Sequence, residues 1–101
     1  MKVIDMHTHI FPEKIAAKAT VATAEYFDLP EPPNHYGSVS ELVDALRRGN
    51  IDYAMVFSAA TTAHQVEHIN RYILSQAEAN PQFIPCGTLH AGYENYREEL
   101  R

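Results

Sequence analysis

His7 and His9 stand one residue apart at the end of a short apolar stretch, Val3-Ile4-Asp5-Met6-His7-Thr8-His9-Ile10. In an extended strand the side chains alternate faces, so Asp5, His7 and His9 point the same way. Alternate residues lie about 6.6 Å apart along a strand. Two imidazoles at that spacing can converge on one metal ion, which binds neutral histidine nitrogens at about 2.0–2.1 Å. The tripeptide by itself is a weak signal, because six histidines in 101 residues produce such a pair by chance. Its position strengthens it. The pair falls where an N-terminal strand runs out, and parallel α/β proteins carry ligands and catalytic groups at carboxyl strand ends. The competing reading is two unrelated polar residues at a strand end.

Other polar residues are candidates of lower rank. Asp5 either orients a ligand histidine, as carboxylates commonly do, or meets a structural partner inside the fold. His90 follows a later apolar stretch and would share a rim with His9 and Ser58; a substrate contact and a loop histidine in solvent are both open. Ser58 has no base near it in sequence and reads as a hydroxyl capping the following turn. His64-Gln65-Val66-Glu67-His68 matches H-x-x-E-H, a zinc-peptidase pattern. At about 100° per residue, however, His64 and His68 fall opposite Val66, Ile69, Ile73 and Ala77. That pair belongs to a solvated helix face, where an enzyme site would have no walls.

The elements that position these residues follow from periodicity. A first helix is expected from near Pro12, since proline suits the first helical position. Ile15, Ala19, Ala22 and Tyr26 would form its buried stripe. Three prolines between Pro30 and Pro33 end it, and Asp28 to Gly37 reads as a surface loop, a connector or a flap over a site mouth. Ser38-Val39-Ser40-Glu41 has the form of a capping box. Val39, Leu42, Val43 and Leu46 then recur at i, i+3, i+4 and i+7, and Gly49 stops the helix.

Tyr53-Ala54-Met55-Val56-Phe57 is apolar without alternation, which suits a strand buried on both faces. A helix over about Ala63 to Ala79 follows, ended by Asn80-Pro81. The third strand is expected over Phe83 to Leu89, with regular pairing mainly after Pro85, which has no N–H to donate. A last helix opens near Tyr93. Strands alternating with helices predict an α/β fold of parallel strands with right-handed crossovers.

The bulk numbers exclude several classes. A hydrophobic fraction of 46% with 21% charged residues describes a globular chain. The net charge is −5 and Lys/Arg do not cluster, which argues against nucleic acid and anionic membrane as partners. Cys86 is the single cysteine, so no internal disulfide forms; it reads as a small buried residue. No N-terminal apolar stretch suggests a signal peptide or membrane span, so a cytoplasmic setting is expected.

Ile4-Asp5-Met6-His7-Thr8-His9-Ile10-Phe11-Pro12 closely resembles the opening of the metal-dependent amidohydrolases of the amidohydrolase 2 group, (β/α)8-barrel hydrolases and nonoxidative decarboxylases whose first strand ends in D-x-H-x-H. The resemblance continues through Gly49 to Val56 and Phe83 to His90, and it covers only the first part of such a barrel. It implies that His7 and His9 are the first two ligands of a divalent metal, zinc foremost. A later histidine and aspartate would complete the site, and the substrate would be a small carboxylated, amide or lactone compound. Phe11 and His90 are then the candidate substrate contacts.

A barrel needs eight strands and about 250 residues, and three strands are predicted here. The chain is therefore expected to be an incomplete (β/α)8 barrel, the N-terminal portion of such an enzyme or a truncated relative, inactive by itself. Its open strand edges would pair with another copy or with the remainder of the barrel. A phosphoesterase of the PHP type shares the D-x-H-x-H strand end but usually follows it with a Ser/Asp/Gly-rich loop, whereas Phe11-Pro12-Glu13-Lys14 stands here. The third reading is a non-catalytic assembly piece with His7 and His9 vestigial.

Overall fold

The computed structural model describes residues 1–30 and 35–101. Its elements are β1 (Ile4–His9), α1 (Ala16–Tyr26), α2 (Val39–Arg48), β2 (Tyr53–Phe57), α3 (Val66–Ala79, led in by a 3₁₀ turn over Ala63–Gln65), β3 (Phe83–Pro85) and α4 (Tyr96–Glu99). The three strands are parallel in the order β1-β2-β3. This is the α/β architecture that strand–helix alternation predicts.

The core lies between the sheet and α2 and α3. Ala54, Val56 and Phe83 from the strands meet Leu46 of α2, Ile73 of α3 and Ile10, with Val39, Leu42, Val43, Ile69, Tyr72 and Ala77 packed around them. The apolar stripes expected on α2 and α3 are thus the faces that dock. Along β2, burial alternates: Ala54 and Val56 are buried under the helices, while Tyr53, Met55 and Phe57 are half-buried on the other face. The expectation of a strand buried on both faces is corrected here, since that second face has no layer over it among the described residues.

Helix α2 starts and stops as its residues dictate. The Ser38 hydroxyl accepts from the Glu41 amide at 3.3 Å. Glu41 completes the cap further back, accepting from the Tyr36 amide at 3.2 Å. At the far end the Ile51 amide donates to Leu46 O at 2.9 Å and the Asn50 amide to Arg47 O at 3.3 Å. This is a Schellman ending. The left-handed residue in it is Asn50, at φ +53, rather than Gly49.

Four other expectations are corrected. Pro12 opens a turn, with the Ile15 amide donating to Pro12 O at 3.0 Å, and α1 begins only at Ala16. Its inward side is Ala16, Ala19, Thr20 and Ala24, whereas Ile15 and Tyr26 are 49% and 82% exposed. Thr20 Oγ1 ties the helix to the Tyr36 carbonyl at 2.8 Å.

The pairing of β3 runs through Pro85 rather than after it. Gln82 O accepts from the Ala54 amide and Val56 O from the Cys86 amide, so even-numbered backbone groups face β2 and Pro85 turns its missing donor to the open edge. Beyond Cys86 the chain leaves the sheet and Asn70 takes it over. Asn70 Oδ1 accepts from the Thr88 amide at 2.7 Å, and Asn70 Nδ2 donates to Thr88 O at 3.0 Å. The last helix starts at Tyr96, three residues later than Tyr93. The loop expected over Asp28 to Gly37, with its suggested place over a site mouth, falls partly on residues 31–34, outside the described residues.

Candidate metal centre

Strand β1 does not alternate regularly. Asp5 pairs with Ala54 and Thr8 with Val56, so Met6 and His7 together oppose the single residue Met55. This is a β-bulge, which shifts the side-chain phase by one and re-aims the residues after it. Thr8 pins it by donating from Oγ1 to Met55 O at 2.7 Å. His9 pairs with Phe57 on the sheet's open face, and His7 lies over the same ring at 5.1 Å between centroids. The two imidazoles converge: His7 Nε2 and His9 Nε2 are 3.1 Å apart.

That separation suits ligands of one ion. Two nitrogens about 2.0–2.1 Å from a tetrahedral zinc lie about 3.3 Å from each other. At 3.1 Å one ring nitrogen donates to the other, the donor being whichever ring carries the Nε2 proton. Metal uptake by such a pair releases protons and is pH-dependent.

Aromatic rings flank the pair. Phe57 sits 6.2 Å from the His9 ring, and Phe11 stacks on His9 at 6.5 Å with 16° between planes. Burial beside these rings holds the His9 imidazole below the usual histidine range, and the neighbouring His7 pushes it the same way. A neutral imidazole is the form that binds a metal.

Asp5 is not part of this arrangement. The bulge places it opposite buried Ala54, on the helix-covered side, where its Oδ1 accepts from the backbone amide of His7 at 3.1 Å. The expectation that Asp5, His7 and His9 share a face is corrected: the carboxylate braces the bulge instead of a ligand ring. Its structural reading is the one the geometry favours.

His90 lies in the turn after β3, half-buried, with Nδ1 accepting from the Gly92 amide at 3.0 Å. Among the described residues no group of three or more His, Cys, Asp or Glu is placed to hold a metal, so His90 does not join the pair as a ligand. Ser58 is 7% exposed and does not cap the following turn as expected. Thr88 Oγ1 accepts the Ala60 amide there, and Gln65 Oε1 accepts the Thr61 and Thr62 amides. Cys86 is half-buried rather than buried. His64 and His68 are exposed, as their helical angles predict. Glu67 between them accepts from the Tyr93 hydroxyl at 2.6 Å, a bond that pushes the Tyr93 phenol up to about 12.

Sequence reasoning missed Thr8, Phe57 and Tyr72. A threonine inside an apolar strand is the signal that could have marked the bulge. Phe57 ends the strand that neighbours the histidines. Tyr72, on the buried side of α3, reaches 61 residues back along the chain to Phe11 O at 3.1 Å, and nothing local announces that.

A surface depression lined by Lys2, Asp52, Tyr53, Pro81 and Gln82 lies at the amino ends of the strands, away from the histidines. No helix of the described residues is long and apolar enough to cross a membrane. Comparison with protein-family models, with curated proteins and with solved structures returned no match to this chain.

Proposed function

We propose that this chain carries the first two metal ligands of a metal-dependent hydrolase of the amidohydrolase type, on the first three strands of a (β/α)8 barrel. The observation that supports this best is the 3.1 Å approach of His7 Nε2 and His9 Nε2 at the carboxyl end of the first parallel strand. The sheet around it agrees with a barrel wall: helices on one face, and an opposite face left bare at Ile4, Met6 and Ile84. His7 and His9 would hold a divalent metal, zinc foremost. Such an ion supplies Lewis acidity that lowers the pKa of water from 15.7 to about 7.

In this reading the chain's own residues bind and orient. Thr8 and Asp5 fix the bulge, Phe57 and Phe11 flank the rings, and partial burial and then His7 lower the proton affinity of His9. Phe11 also forms an apolar wall for a small carboxylated, amide or lactone substrate, with hydrolysis or nonoxidative decarboxylation as the chemistry. The bare face and the open edges of β1 and β3 pair with another copy or with further barrel strands. The expected setting is the cytoplasm, where a lone thiol such as Cys86 stays reduced.

The test is to express the continuous product of the coding frame that contains this chain and assay it with and without chelator. The substrates are amides, lactones, carboxylated compounds and phosphate esters. Amide or lactone cleavage, or CO₂ release, that needs both metal and His7 supports the proposal. Phosphate-ester turnover moves the assignment to a PHP-type phosphoesterase. Metal binding without any turnover makes the chain a binding or assembly piece.

A further inference from the structure

Phe11 is held from both sides by residues remote in sequence. Its amide donates to Gly37 O at 2.8 Å, and its carbonyl accepts from the Tyr72 hydroxyl at 3.1 Å. The two backbone groups of one residue are thus fixed to the segment before α2 and to α3. The Phe11 ring also lies against Gly37. A Cβ placed on Gly37 would stand 2.8 Å from Phe11 Cδ2 and 3.1 Å from Thr20 Oγ1, and Gly37 has φ +74. Only a residue without a side chain lets the backbone pass under the ring in that conformation. The same ring stacks on His9.

We propose that Gly37 and Tyr72 are positioning residues of the histidine pair: they clamp Phe11 against His9 and so fix the imidazole plane that aims His9 Nε2 at His7 Nε2. This rests on the metal-site reading for its consequence, not for its geometry. The β1–α1 connection carries no regular structure from Ile10 to Pro12. Without the two backbone anchors Phe11 has no ladder to hold it, and the His9 ring loses its stacking partner. The clamp joins three separate parts of the chain at one residue beside the site.

The test uses the full 101-residue chain with Co²⁺ alone as probe. Tyr72→Phe removes the hydroxyl and keeps the ring in the core. Gly37→Ala introduces the clash. Three quantities are read: cobalt affinity by calorimetry, the cobalt visible absorption spectrum, and the ring-current shift of the His9 imidazole protons by NMR, with far-UV circular dichroism to confirm folding. Losing one hydrogen bond in the clamp predicts about threefold to tenfold weaker cobalt binding in Tyr72→Phe, with an altered spectrum and a moved His9 ring-current shift.

A Tyr72→Phe chain that melts earlier but keeps the wild-type affinity, spectrum and ring-current shift overturns the proposal, since that is what a purely structural hydroxyl would do. If Gly37→Ala does not fold, Tyr72→Phe alone decides. If the wild-type chain binds no cobalt while the ring-current shift still moves in Tyr72→Phe, the clamp stands and the metal reading falls.

Discussion

One face of the sheet is covered by α2 and α3 and buries Ala54, Val56 and Phe83 to 4% exposure or less; the other leaves Ile4 at 44% and Met6 at 63%. The same three strands build both. On the covered face, apolar side chains recur with the strand period and meet helices whose stripes match them, so the burial there stabilises the chain. On the bare face the histidines and their aromatic neighbours collect beside exposed aliphatic groups. The buried core and the histidine pair therefore lie on opposite sides of one layer of backbone. The bulge at Met6 and His7 is the point where the two exchange residues, sending Asp5 to the covered side and the histidines to the bare one.

The largest effect should come from the covered face. Ile73→Ala opens a cavity against the strands and is expected to cost about 2–5 kcal/mol, enough to unfold a marginal domain. Met6→Ala on the bare face should stay within about 0.5 kcal/mol. Urea unfolding of both variants measures the contrast, and equal losses would mean that the bare face is packed in solution.

Next, His7→Ala or His9→Ala should weaken cobalt or zinc binding at least tenfold, about 1.4 kcal/mol. A His64→Ala/His68→Ala double variant should remain within about twofold of the wild type. Calorimetry at neutral pH compares them; a larger loss in the helix variant would move the site off the strand. Thr8→Val removes the bond that pins the bulge and should lower stability by about 1 kcal/mol, read as a reduced melting temperature. A fall in metal affinity alongside it would sharpen the link between bulge and site.

The smallest effect is one of pH. His9 titrates below its unfolded value because burial, then His7, disfavours the charged ring. Between the two values the unfolded chain binds more protons, so stability rises with pH there. The contribution is fully present above about pH 6.5. It is lost as pH falls through that value towards the folded one, and stays level below it. The urea midpoint of the wild type should fall relative to that of His9→Asn as pH drops from 7.5 to 5; parallel profiles would show that the fold does not lower the His9 pKa.

Much of this molecule was determined by the sequence alone. The element order, the Ser38 start of α2 and its end at Gly49, the docking faces of α2 and α3, the exposure of His64 and His68, and a histidine pair at the end of the first strand all follow from local patterns. Caps, periodicity and strand position act within a few residues, and tertiary contacts left them unchanged. Only the tertiary structure decided which side Asp5 faces, because the register of β1 against β2 inserts an extra residue that alternation counting does not contain. It also decided that Ala16 is the buried residue of α1 and that Thr20 ties this helix to the Tyr36 carbonyl. The pairing of β3 through Pro85 depended on which of its edges was left open. The clamp on Phe11 needed Gly37 and Tyr72, distant in the chain, to arrive at one residue. Each of these turns on which partner lies opposite, and that information exists only once the strands and helices have met.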